Sequence, residues 1–385
     1  MTSLEVAVAA LREHIQSGHY QDGHRLPAER ALAEELSVHR RIVRAAVAQL
    51  MAEGLVSRRP HCSPVVCSPH RQASPDLSPP AGAAPGLSAA RFVALVMWHG
   101  GPLDTGRTAQ QRIFWGMNQK LAQAGYHAVF LDLGGSIGSE GENAEREARH
   151  LRYVLEQGFG GAIFYPYAYR SNRKLIQEVS QRLPLCLIDR MLPGVEADFV
   201  GAQNYQGMRA ATSHLIQQGH RRIAYITKSE PINPVQDRLQ GYLHALNEAL
   251  HTDRDELVLT APSFDGDDWT LFDVVFRLPP EERPTAAIGF NDYEAERTVR
   301  RLHLLGLKVP QDVALVGFDD IVQTLPNGVG LTSVAQPFEE IGQTAAGLFL
   351  QRRESPSAPP AHVDLPTRLV VRSSSDGPPA EADAV

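Results

Sequence analysis

The chain has 385 residues, 43% of them hydrophobic, with 37 Lys and Arg against 44 Asp and Glu for a formal net charge of −7. At roughly 100–200 residues per domain this length suggests two or three domains with ample material for a core, and the whole-chain charge argues against a nucleic-acid binder. Cys62, Cys67 and Cys186 make neither a disulfide framework nor a Cys-x-x-Cys motif, the longest apolar run (Phe92 to Trp98) is far too short to span a bilayer, and residues 1–30 carry Glu5, Arg12, Glu13, Asp22 and Arg25. A protein of the reducing cytoplasm, with no membrane segment and no signal peptide, is the expectation.

Three helical patterns open the chain. Leu4, Val8, Leu11 and Ile15 mark an apolar stripe ended by Gly18, Leu32 and Leu36 mark a second opened by Pro27, and Val43, Val47 and Leu50 mark a third closed by Gly54. Leu55–Arg59 and Pro64–Val66 then suit two short strands with a turn between them. Three helices followed by such a hairpin predict a winged helix-turn-helix. Charge is distributed unevenly here. Residues 1–72 hold nine Arg and seven acids, a net +2 that leaves −9 for the remainder, and residues 36–72 alone are +5. Arg40 and Arg44, four apart, share a face of the third helix, with Arg41 beside them. A helix presenting Arg from its first turns can read guanine O6 and N7 in the major groove or hold phosphates, although a solvated basic face would carry the same pattern.

From Pro60 to Ala90 the chain has seven prolines and much Ser, Ala and Gly without apolar periodicity. Pro fixes φ and removes a donor, so an extended linker is predicted, with boundaries at 68–90. Beyond it, short apolar runs (Phe92–Trp98, His127–Leu133, Ala162–Tyr167, Leu185–Ile188, Arg222–Thr227, Leu257–Leu259, Ala286–Phe290, Val313–Phe318) alternate with amphipathic segments such as Gln110–Ala124 and Asn204–Gln218. This rhythm predicts α/β architecture with parallel sheets covered by helices, as one large sheet or two lobes. The domain is placed at 91–374, and the polar end, Ser373–Val385, reads as a loose tail.

In such sheets ligands favour the crevice at the carboxyl ends of the strands. Asp189-Arg190, Asn291-Asp292 and Asp319-Asp320 each follow a predicted strand directly. Asp, Asn and Arg together supply the acceptors, donors and planar forks that a polyhydroxylated ligand needs, and Trp269 could stack on its apolar face. Any one of these residues could equally be a helix cap.

The segment Gly18-His19-Tyr20…Gly23-His24-Arg25-Leu26-Pro27-Ala28-Glu29-Arg30-Ala31-Leu32-Ala33-Glu34-Glu35-Leu36, continued by Val38-His39-Arg40-Arg41-Ile42-Val43-Arg44 and Glu53-Gly54-Leu55-Val56-Ser57-Arg58-Arg59, resembles the GntR-family DNA-binding domain over about residues 4–66. The resemblance implies DNA contacts at Arg30, Arg40 and Arg44, with Arg41 adjacent and Arg58 and Arg59 at the wing. Ala28 and His39 stand where the family usually has Ser, which removes a capping hydroxyl from two helix starts. His61-Cys62-Ser63 replaces its Gly-rich wing tip.

The larger part resembles the LacI/GalR-family effector domain, itself similar to periplasmic binding proteins, over about residues 91–374. The matching segments include Ile188-Asp189-Arg190, Asn204-Tyr205-Gln206-Gly207, Gly219-His220-Arg221-Arg222-Ile223, Arg238-Leu239-Gln240-Gly241-Tyr242, Phe290-Asn291-Asp292, Val316-Gly317-Phe318-Asp319-Asp320 and Ala335-Gln336-Pro337. A two-lobed domain is implied, with effector contacts at Asp189, Arg190, Arg238, Asn291, Asp319 and Gln336 and a stacking role for Trp269. Asp292 and Asp320 are read as caps. Gln203 stands where the family often has Asp, and the loop from His99 to Arg107 matches no pattern.

Gly134-Gly135-Ser136-Ile137-Gly138 fits Gly-x-Ser-x-Gly, but the next helical pattern begins only around Glu142, whereas a nucleophile elbow turns directly into its helix. With no phosphate loop and no metal-ligand motif, no catalytic residue, cofactor or metal is assigned. The sequence therefore reads as a bacterial transcription regulator, most readily a repressor. Its partners would be pseudo-palindromic operator DNA, a sugar effector and a second copy of itself. The alternatives are a sugar-binding module that has lost specific DNA binding, and a serine hydrolase using Ser136.

Overall fold

The computed structural model describes residues 3–16, 20, 26–27, 29–36, 38–52, 56–57, 64–66, 88–98, 108–133, 140–230, 232–250, 257–262 and 268–376. The chain divides between Leu87 and Ser88 into two compact units. Most of the predicted linker, the loop 99–107 and the Gly-x-Ser-x-Gly segment with Ser136 lie outside the described residues.

The first unit contains α1 (Ser3–Gln16), α2 (Glu29–Glu35), α3 (Arg40–Ala52), β1 (Val56–Ser57) and β2 (Val65–Val66). The apolar stripes converge as their spacing requires: Leu11, Ile15, Leu32, Val43, Leu50 and Val56 form one core. The strands pair antiparallel, Val56 with Val66 and Ser57 with Val65. His39 lacks a hydroxyl, yet its imidazole Nδ1 accepts the Arg41 backbone N–H at 3.3 Å, so the start of α3 keeps a side-chain acceptor.

The second unit is two α/β lobes. The first lobe has β3 (Phe92–Met97), β4 (His127–Asp132), β5 (Gly161–Phe164), β6 (Leu185–Ile188), β7 (Asp198–Ala202) and β13 (His362–Leu365), with α4 (Ala109–Gln123), α5 (Glu140–Glu156), α6 (Tyr169–Arg182) and α11 (Phe338–Glu354). Its sheet runs β13-β7-β6-β5-β3-β4, parallel throughout. The second lobe has β8 (Ile223–Thr227), β9 (Val258–Thr260), β10 (Ala286–Gly289), β11 (Ala314–Asp319), β12 (Thr332–Ala335) and β14 (Arg368–Val370), with α7 (Asn204–Gln217), α8 (Asn233–Leu250), α9 (Thr270–Phe276) and α10 (Asp292–Leu304). Its order is β14-β12-β11-β10-β8-β9, and β14 is antiparallel to β12, a departure from the all-parallel expectation. Each sheet packs one core on either face, which is why its central strands read as unbroken apolar runs.

The chain crosses between lobes three times, at Gln203, at Gln336–Pro337 and at Pro366–Thr367. Gln203 ties two of these crossings together. Its backbone N–H donates to the Leu365 carbonyl at 2.8 Å and its side-chain amide to the Asp364 carbonyl at 3.4 Å, and the second contact needs a side-chain donor that an Asp carboxylate lacks. In the first lobe α4 and α11 approach closely enough that a Cβ on Gly116 would lie 2.0 Å from the Glu339 carbonyl oxygen, and one on Gly342 1.9 Å from that of Ile113. Ser374 and Ser375, at the start of the predicted loose tail, are instead fully buried, with Ser374 Oγ donating to the Leu315 carbonyl at 2.5 Å, and the rest of that segment from residue 377 lies outside the described residues.

Candidate functional site

Strands β6 and β11 deliver their carboxyl ends to one cleft between the lobes, and the backbone there is unusual. Asp189 (φ 65°), Asp319 (φ 107°) and Asp320 (φ 54°) are the three positive-φ residues other than Gly among those described. Asp tolerates this region better than most side chains because its short carboxylate can bond locally, and such strain concentrates where side chains must be aimed.

Arg238, on α8, is 3% exposed. Its Nε donates to Asn204 Oδ1 at 2.8 Å, Nη1 to the Phe290 carbonyl at 2.8 Å and Nη2 to Asp319 Oδ1 at 3.5 Å. The guanidinium lies 3.7 Å from the Phe318 ring centroid and 4.5 Å from that of Phe290. Gln336 Nε2 donates to the same Asp319 oxygen at 2.7 Å. Burial raises the Asp319 carboxyl above the usual range, Arg238 and Gln336 oppose that rise, and the Asp189 charge across the cleft adds to it. The result is a desolvated acceptor held by fixed donors, whose charge Arg238 balances.

Arg190 occupies the facing wall. Its guanidinium sits 4.9 Å from the Tyr165 ring and 5.8 Å from the Tyr167 ring, and Nη1 donates to the Pro166 carbonyl at 3.3 Å. Nη2 reaches Glu230 of the second lobe at 3.7 Å, while Nε is buried without a hydrogen-bond partner among the described residues. A second bridge between the lobes comes from Asn233, which donates to the Asp189 carbonyl at 3.2 Å and accepts from Met191 N–H at 2.9 Å.

Other assignments need restating. Asn291 is the cap of α10, its Oδ1 accepting Glu294 N–H at 2.9 Å. Asp292, read from sequence as that cap, instead accepts from Ile321 N–H at 2.7 Å, Val322 N–H at 3.0 Å and Ser333 Oγ at 2.5 Å. Asp320, also read as a cap, pairs with Arg372 at 2.7 Å. Trp269, at the start of α9, is 7% exposed and belongs to the core beside Phe272, with Arg297 over its ring at 5.2 Å. Tyr165, Tyr167, Glu230 and Asn233 went unmarked by sequence reasoning, since only the turn after β5 and the close approach of α8 bring them to the cleft. A recess of about 470 Å³ lined by Arg182, Asp198 and Arg352 lies at the opposite ends of β6 and β7, away from these residues. No group of His, Cys, Asp and Glu among the described residues could hold a metal ion.

In the first unit Arg40, Arg41 and Arg44 are exposed on the first turns of α3. Arg30 lies on α2, but its side chain, like Arg58 and Arg59, is outside the described residues.

Two lobes, three crossings and a polar cleft define a periplasmic-binding-protein-like domain, and the small unit is a winged helix. Comparison agrees at both ends: residues 4–66 match the bacterial regulatory proteins of the gntR family, and residues 212–375 match the periplasmic binding protein-like domain. The HTH-type transcriptional regulator GalR of Escherichia coli is 30% identical over 271 residues, 70% of this chain and 77% of that protein. The arabinose metabolism transcriptional repressor of Geobacillus stearothermophilus is 26% identical over 370 residues, 94% of each chain. A LacI-family regulator from Enterococcus faecium solved with bound ribose shares the fold, with TM-score 0.57 and 21% identity over 75% of this chain and all of that one. The chain belongs to the LacI/GalR family of transcriptional regulators, with a DNA-binding domain of the gntR type.

Proposed function

We propose that this regulator is a repressor that binds operator DNA through α3 and the wing and releases it when a neutral sugar occupies the cleft. The observation that carries the effector half is the convergence of Asp319, held by Arg238 and Gln336, with Asp189 and Arg190 from the other lobe. Acceptors, donors and flanking rings within one cleft suit a polyhydroxylated ligand, Asn291 follows β10 directly beside β11, and Trp269 is retained as a stacking contact on the family resemblance alone. The arabinose repressor and the ribose-bound relative support a sugar as the class.

Arg40, Arg41 and Arg44 supply the readout helix, and the family resemblance adds Arg30, Arg58 and Arg59 as further DNA contacts. Trp115 on α4 is 60% exposed, and Leu271 and Val274 on one face of α9 are each 59% exposed. These apolar surfaces suit a homodimer, and a two-fold dimer suits a pseudo-palindromic operator. Such work is done in the cytoplasm, where the DNA is. Ligand shifts the equilibrium only by its differential affinity for the two states, so closure of the lobes must alter how the dimer presents its DNA-binding domains.

The test has two arms. Gel shifts with DNA upstream of the protein's own gene should lose the specific complex in Arg40→Ala and Arg44→Ala; wild-type binding by both would overturn the assignment of α3. A thermal-shift series of L-arabinose, D-ribose and D-galactose should give a rise with at least one sugar that Asp319→Ala abolishes.

A further inference from the structure

Each lobe contains one buried carboxylate that performs a task the effector contacts do not account for. In the first lobe Glu147, on α5, is fully buried. Its Oε2 accepts Tyr167 N–H at 2.8 Å and Ala168 N–H at 3.0 Å, and its Oε1 accepts Asn172 Nδ2 at 2.9 Å. Ala168 begins α6 and has no side-chain cap of its own, so a neighbouring helix supplies the acceptor that this turn lacks. The same turn carries Tyr165, Pro166 and Tyr167, the three residues against which the Arg190 guanidinium rests.

In the second lobe Asp292, also fully buried, does the corresponding thing. Its Oδ2 accepts the N–H groups of Ile321 and Val322, two and three residues beyond Asp319. Its Oδ1 accepts Ser333 Oγ at 2.5 Å, and that hydroxyl oxygen in turn accepts Asp320 N–H at 3.1 Å. The strained segment from Asp319 to Val322 is thus tied to one side chain from both directions. Gly317 leaves the room for it, since a Cβ there would lie 2.3 Å from Asp292 Oδ1.

We propose that Glu147 and Asp292 are positioning residues of the effector site, each fixing the loop from which its lobe presents a charged contact, Arg190 in one and Asp319 in the other. The proposal rests on the cleft being the effector site. A carboxylate suits the task because it accepts several N–H donors at once, whereas an amide of the same shape turns an NH₂ group toward a donor. Fixed loops spare the ligand the cost of ordering them, so the effect appears in affinity.

The experiment compares full-length Glu147→Gln, Asp292→Asn and a control, Asp198→Asn. Asp198 is equally buried but is held by Arg352 and Ala361 N–H at the far end of β7. Amide exchange without ligand, thermal midpoint, and titration calorimetry with L-arabinose, D-ribose and D-galactose are measured on all three and on wild type. The expected result is exchange about tenfold faster at Tyr167–Ala168 in Glu147→Gln and at Ile321–Val322 in Asp292→Asn. Either change should weaken the sugar that wild type binds by about tenfold, or about 1.4 kcal/mol. Asp198→Asn should lower the midpoint while leaving both loops and the affinity as in wild type. Unchanged exchange in the loops, affinity within about twofold of wild type despite loosened loops, or an equal affinity loss in Asp198→Asn would overturn the proposal. Loosened loops with no sugar bound even by wild type would support the bracing and overturn the cleft assignment on which it rests.

Discussion

The side chain of Asn233, at the start of α8, accepts the backbone N–H of Met191 at 2.9 Å across the cleft. Its amide nitrogen simultaneously donates to the Asp189 carbonyl at 3.2 Å, so one side chain of the second lobe is bonded to both sides of Arg190 in the first. This clasp lies beside the Arg190–Glu230 pair and closes the cleft on the side of β6.

Asn233→Ala removes both bonds without disturbing either core. Amide exchange at Met191 in the ligand-free protein should rise about tenfold, with the strands of both sheets unaffected. Unaltered protection of Met191 would show that the clasp does not hold the lobes.

Arg238 is the costliest side chain of the cleft to remove. Arg238→Ala leaves Asp319 buried and without its counter-ion and strips the Phe290 carbonyl of a donor, for an expected loss of about 3 kcal/mol in urea unfolding. Arg238→Lys should recover less than half of this, because a point charge cannot reproduce the fork that serves Asn204, Phe290 and Asp319 together. Equal stability of the lysine variant and wild type would contradict this account.

Two buried groups should give opposing pH dependences. Burial pushes the Asp292 carboxyl up to about 7 from 3.8, so the folded state holds a proton that the unfolded chain has released, and stability falls as pH rises between these values. Burial pushes the His220 imidazole down to about 4 from 6.5, so there the unfolded chain binds the extra proton and stability is lost as pH falls through that window. Each slope is about 1.4 kcal/mol per pH unit, and they offset one another between about pH 4 and 6.5. Unfolding measured at pH 4.5, 5.5 and 6.5 should therefore show a stronger acid loss in Asp292→Asn than in wild type, and the reverse trend in His220→Gln. Parallel profiles for the three proteins would contradict both assignments.

The contact between α4 and α11 has no room for a methyl group. Gly116→Ala sets a Cβ against the backbone of Glu339, which cannot swing aside, so a loss on the order of 2 kcal/mol is expected by thermal unfolding. Gly347→Ala, on α11 but facing open space, is the control and should be neutral or slightly stabilising.

What could be read in advance follows from how each feature is encoded. The central strands were legible as apolar runs because both faces of each sheet are covered. Strands β7, β12, β13 and β14 escaped, for they are built from Asp198 and Gly201, from Thr332 and Ser333, from the half-exposed His362–Leu365 and from the three residues Arg368–Val370. Asp189, Arg190 and Asp319 could be marked as candidates because they stand at the ends of such runs. The capping role read for Asp292 belongs to Asn291, since adjacent polar residues at a helix start look alike in one dimension and only the loop beyond β11 shows that Asp292 instead holds Ile321, Val322 and Ser333. Glu147 lay within a charged stretch of α5 that gave no sign that one of its acids is sealed.

The account turns on coupling between the cleft and the DNA-binding unit, which fluorescence anisotropy measures directly. Full-length protein is titrated onto labelled DNA from upstream of its own gene, with and without the sugar that raises its thermal midpoint. Saturating sugar should weaken binding by about tenfold or more, a coupling of at least about 1.4 kcal/mol, and Asp319→Ala should bind the DNA like wild type but ignore the sugar. A dissociation constant unchanged by saturating sugar would contradict the account.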